Sequence, residues 1–99
     1  MGSMLVPKTI LSQLGGNKFL VMTGAKSLVG GANFLAFRLP KANHGINHVR
    51  ITLNDNDLYT VEYGRSTVKG YRHIAGDDDI YVEDLVRCFE VTTGLATRL

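Results

Sequence analysis

The middle of the chain alternates apolar and polar residues with a period of two. In HVRITLN, Val49, Ile51 and Leu53 share one parity and His48, Arg50 and Thr52 the other, the pattern of a strand with one face on a core and one in water. DND follows, a turn whose Asp and Asn side chains can bond the local backbone. LYTVEYGR alternates again, setting Tyr59, Val61 and Tyr63 against Thr60 and Glu62. Two such strands around an Asx-rich turn predict an antiparallel hairpin with one wet face. Upstream, AKSLV and FLAFRLP around GGAN predict a second pair, with Pro40 closing the latter strand because it cannot donate to a ladder. Downstream, VKGYRHIAG predicts an edge or irregular strand interrupted by Gly70.

The flanks read as helical. In VPKTILSQLGG, Pro7 suits a first turn, Gly15 suits the position after the end, and Ile10, Leu11 and Leu14 form an apolar stripe. NKFLVMT is open: Asn17 can cap a short helix with Phe19 and Met22 three apart, or Phe19 to Thr23 can be a buried strand. After GDDD the period becomes helical, with Ile80, Leu85, Val86, Phe89 and Val91 on one stripe and Val82 at its edge. Asp79 is the expected cap, Glu83 and Asp84 suit the helix dipole, and Gly94 stops the helix. The sum is an α+β fold: an N-terminal helix, a four- to five-stranded antiparallel meander, and a C-terminal helix packed on one sheet face. One compact domain is expected over residues 5–99, with MGSM read as an expression scar ahead of Met4. No internal repeat, low-complexity tract or linker is apparent.

Composition changes this picture in one respect. The chain has 99 residues and a net charge of only +2, yet the charge is unevenly spread. Lys8, Lys18, Lys26, Arg38, Lys41 and Arg50 precede the first acid, Asp55; from Asp55 onward there are nine acids and five cations, so the halves carry +6 and −4. Two readings are open: the halves neutralise each other in the fold, or one meets a charged partner, nucleic acid at the basic side or a basic protein surface at the acidic side. No apolar run reaches the roughly 18 residues of a membrane span and no secretory pattern opens the chain, so a cytoplasmic location is expected. A lone Cys88 fits a reducing compartment.

VMTGAKSLVGGANF, residues 21–34, raises the question of a phosphate cradle. A nucleotide loop needs a lysine directly after its last glycine, then Ser or Thr opening a helix; here Ala25 separates Gly24 from Lys26 and the sequel is strand-like. The dinucleotide glycine spacing fails as well, so these glycines are expected to serve turns. His44 and His48 are four apart but belong to a loop and a strand start, and nothing completes a zinc set. Cys88 at i+3 from Leu85 reads as an inert helix thiol, and no serine carries a nucleophile signature. No catalytic, cofactor-binding or metal-binding residue is assigned, and no cofactor is expected. The candidate macromolecule-binding set is Lys26, Arg38, Lys41, His44, His48 and Arg50: Arg38, His48 and Arg50 on the wet sheet face with Thr52 and Thr60, and Lys41 and His44 on the adjoining loop. Asp77, Asp78 and Asp79 form the alternative acidic contact. Tyr59 and Tyr63 share the core parity of Val61, so a base-stacking platform lacks rings on this reading.

ILSQLGGNKFLVMTGAK, LAFRLPKANHGINHVRITLNDNDLYTVEYG and IYVEDLVRCFEVTTGLATRL together resemble a family of small uncharacterised proteins encoded by bacteriophages and prophages, across nearly the whole chain. The resemblance implies an origin in an infected or lysogenic bacterial host. It makes the leading expectation a non-enzymatic binding protein that inhibits or modulates a host machine, anti-defence proteins such as anti-CRISPRs being the favoured subclass. The expected partner is a host protein or ribonucleoprotein complex, with no membrane involved; oligomeric state is open, a dimer included. The alternative is direct DNA or RNA binding in phage replication or regulation, and a third reading is a sponge for a small defence signal.

Overall fold

The computed structural model describes residues 5–97; the opening MGSM and the last two residues lie outside that range. Helices α1 (Leu5–Leu14) and α2 (Asn17–Thr23) lead into strands β1 (Lys26–Gly30), β2 (Phe34–Arg38), β3 (His48–Leu53), β4 (Tyr59–Thr67) and β5 (Gly70–Ile80), followed by α3 (Val82–Thr93). The five strands form one antiparallel sheet in the order β1-β2-β3-β4-β5, each paired with its sequence neighbour. Alternation drives this arrangement. Leu35 and Phe37 on β2, Val49 and Ile51 on β3, and Tyr59, Val61 and Tyr63 on β4 are all buried on one face, where α1 packs on β2 and α3 packs on α1. The expected α+β architecture is present, with helices on one sheet face only.

The stretch over residues 17–23 is a helix, and its end is built to stop one. Thr23 Oγ1 donates to the Phe19 carbonyl at 2.7 Å and accepts from Ala25 N–H at 3.2 Å, while Gly24 takes the left-handed cap (φ 72°) and bonds back to Leu20. The same device ends α3: Thr93 Oγ1 donates to the Phe89 carbonyl at 2.7 Å and accepts from Leu95 N–H at 3.3 Å, with Gly94 at φ 74°. FLVMTG and FEVTTG thus share Phe-x-Val-x-Thr-Gly, a short recurrence where no repeat was expected. In each the Phe enters the core, the Val faces water and the Gly supplies the positive φ a side chain resists. Phe19 and Phe89 meet edge-on at 5.3 Å, and each contacts Phe37 beneath, at 5.3 and 6.2 Å. Both glycines abut the β2–β3 connection, Gly24 at Pro40 and Gly94 at Asn43.

Three expectations near β5 change. Val68 and Lys69 form a turn rather than the start of a strand, so β5 begins at Gly70. The acidic run Asp77–Asp79 does not cap α3: β5 continues through it to Ile80, and Tyr81 is the N-cap residue, without a side-chain bond. Ile80 is therefore buried from the strand, and the helix presents Leu85, Phe89 and Thr93 inward while Val91 is exposed. An acid run is equally at home on an outer strand, where charge discourages further pairing.

Candidate functional site

Among the described residues no helix packs on the sheet face opposite α1 and α3, although Ala36 on it is buried by its neighbours. Antiparallel partners share a face, so the register places its residues in rows across the strands. One row is Lys26 on β1, Arg38 on β2, His48 on β3 and Gly64 on β4. The next is Ala36, Arg50 and Glu62, and the third Phe34, Thr52 and Thr60. Gly64 is not a gap in its row. The Tyr71 ring lies on it, where any Cβ would collide, and meets the His48 ring edge-on at 5.7 Å. Phe34 is likewise seated on Gly31, with the Arg50 guanidinium 4.2 Å above its centroid, a cation–π contact.

Rings are therefore present on this face, supplied by Phe34 and Tyr71; Tyr59 and Tyr63 are in the core, as their parity indicates. Tyr71 escapes a parity reading because β5 breaks register twice against β4. The available signal is Gly64 within an otherwise alternating strand, since an interior glycine marks a close approach. Tyr71 is 52% exposed.

Electrostatically the face is divided. Among the described residues Arg87–Asp84, at 2.7 Å on the surface of α3, is the only ion pair, so the basic half is not neutralised by contact with the acidic half. Even Arg50 and Glu62, directly opposite across β3 and β4, form no ion pair. Arg38 reaches only the Ser66 carbonyl, at 3.4 Å. Burial first, then Arg50 and Arg38, hold the His48 imidazole below its ordinary pKa, with Glu62 opposing in part, and its buried Nδ1 finds no hydrogen-bond partner among the described residues. Beside it a hollow of about 290 Å³ is lined by Ser27, Val29, Ala36, Arg38, His48 and Ser66. Burial and then Glu62 raise the Tyr71 phenol, Arg50 opposing.

The fold gathers Lys26, Arg38, His48 and Arg50 and separates the other candidates. Lys41 lines a cleft with Thr93, Gly94 and Leu95 at the end of α3, and His44 sits in a short 3-10 turn, Asn43–Gly45, with φ at 61°. The three aspartates do not form one site, although Asp77 and Asp78 both border the same open-face hollow. Asp77 lines a cleft with Arg87 and Cys88 on α3, Asp78 borders an open-face hollow with Glu62 and His73, and Asp79 accepts a bond from Asn54 Nδ2 at 3.1 Å. Cys88 is half-buried, and burial followed by Asp77 pushes its thiol up, the opposite of nucleophile activation. No group of three metal-ligating side chains occurs among the described residues, nor is any helix there long and apolar enough to cross a membrane. Comparison with protein-family models, curated proteins and solved structures finds no match.

Proposed function

We propose that this is a phage-encoded accessory binding protein that acts without catalysis, using the uncovered sheet face to engage and modulate a host macromolecular machine. The carrying observation is that one end of the open sheet face gathers Lys26, Arg38 and Arg50, none in an ion pair among the described residues, beside two ring side chains. A face left to water alone has no need to gather like charges. Lys26 directly opposite Arg38 costs stability, as like-charged cross-strand pairs do, which fits a surface kept for a partner. The resemblance to small phage proteins supports a host target, with anti-defence activity the favoured subclass.

The test is affinity capture from a bacterial host lysate with the wild type and an Arg38→Glu/Arg50→Glu double variant, read by mass spectrometry. A partner enriched by the wild type and lost by the variant is expected. Equal enrichment by both, or none by either, would sink the proposal.

A further inference from the structure

Building on the open face as the contact surface, we infer that its occupant is a single-stranded nucleic acid, laid across the row Lys26, Arg38, His48 and Gly64, the last covered by the Tyr71 ring that reaches over from the Ser66 position of the ladder.

Four observations converge. The row crosses four strands, about 14–15 Å at ordinary strand spacing, and holds no acid; Glu62 belongs to the next row. Its cations stand at one end and its exposed ring at the other, so phosphates and a base are met in succession. Arg50 lies on the neighbouring row, its guanidinium held over Phe34, and adds positive charge along the flank of the strip on which the backbone would lie. The Tyr71 ring is held in place by Gly64 beneath it and His48 beside it and is half exposed, so a base can reach it.

The combination selects among anionic partners. An acidic protein segment would use the cations but has no use for an exposed ring fixed beside them, whereas every base has a π-face that stacks on one. A duplex would present its charge but keep its bases paired, leaving Tyr71 idle. The cationic corner is bounded by Glu62 and, farther along β4 and β5, by Asp78, so the site is a short strip and the bound segment a few nucleotides.

The experiment titrates the full chain into fluorescein-labelled dT20 and U20, with a 20-base-pair duplex as competitor, across a salt series. Binding to single strands is expected in preference to duplex, with a log–log salt slope near −2, about 0.7 for each of Lys26, Arg38 and Arg50. Tyr71→Ala should weaken binding roughly tenfold while Tyr71→Phe restores it, since stacking needs the ring and not the hydroxyl. Arg38→Glu should reduce the salt slope by about 0.7, and Lys8→Glu on the exposed side of α1 should change little. U20 tighter than dT20 would assign the strand as RNA, equal binding as either nucleic acid. Failure of dT20 and U20 to bind at 50 mM salt overturns the inference; if the Arg38→Glu/Arg50→Glu variant still loses its captured partner, the face stands and its occupant is a protein. Binding indifferent to Tyr71 and Arg38 overturns the inference, and only capture unchanged by the double variant overturns the reading on which it rests.

Discussion

Tyr63 is fully buried, and its hydroxyl has no partner at hydrogen-bonding geometry among the described residues. Burial drives its phenol well above the usual range, Thr92 offering only partial relief. A buried polar atom without a bond is a cost its removal relieves. Tyr63→Phe should therefore raise stability by up to about 1 kcal/mol in urea unfolding; a loss of that size would mean the hydroxyl is bonded after all. His48 on the opposite face has the other kind of defect. Its folded-state pKa is lowered by burial, Arg50 and Arg38, whereas the unfolded chain titrates near the ordinary 6.5. Below that value the unfolded state binds more protons, so this residue makes stability fall as pH falls and adds nothing well above it. Melting temperatures from pH 7.5 to 5 should decline less steeply in His48→Gln than in the wild type, and parallel declines would remove His48 from the account. The two capping glycines differ in what confronts them. Each has a positive φ that costs a side chain about 1–2 kcal/mol, but a Cβ on Gly24 meets the rigid Pro40 ring at 2.9 Å while one on Gly94 meets the end of the Asn43 side chain, which can swing. Gly24→Ala should be the more destabilising substitution by chemical denaturation.

At the scale of elements, the strands with one wet face were legible because burial on a single side writes itself as alternation; β3 and the core parity of β4 follow directly from Val49, Ile51, Tyr59, Val61 and Tyr63. Residues 17–23 were not, because seven residues make barely two helical turns and too little period to read. What decides them is Phe19 meeting Phe37 and Phe89, partners far away in sequence. The acid run was misread because Asp beside a helix resembles a cap, although the ladder continues through Asp77 to Ile80. Of the candidate site, the cations on β2 and β3 were legible from parity. Lys26 joins them only through its register with Arg38, and Phe34 and Tyr71 are placed by glycines on neighbouring segments. That register carries a test of its own. Lys26→Glu replaces a like-charged cross-strand pair with an opposite-charged one, so stability should rise by about 0.2–1 kcal/mol while partner binding falls. A variant that gains neither stability nor a binding defect would separate Lys26 from the face.

On the scale of the whole molecule, the Cα radius of gyration is 12.6 Å and the extents are 33 × 31 × 23 Å, the size of one domain of about 100 residues built as a sheet layer and a helix layer. A meander has two outer strands, and each exposes a row of backbone groups that invites pairing with another copy. Both are blunted here. β1 carries an irregularity between Lys26 and Val29, with Ser27 at φ 55°. β5 breaks register twice and carries Asp77, Asp78 and Asp79, the last at φ 53°. Irregular backbone and repelling charge should keep these edges unpaired, so amide exchange should grade across the sheet. Leu35, Phe37, Val49, Ile51 and Val61, flanked by strands and covered by helices, should exchange only through global unfolding, whereas Gly70 to His73 and Lys26 to Val29 should exchange through local fraying. The gradient should be unchanged over a hundredfold range of protein concentration. Outer-strand protection that climbs with concentration would show copies joining edge to edge, and a continuous sheet across two molecules would then extend the open face beyond the single strip that one chain presents.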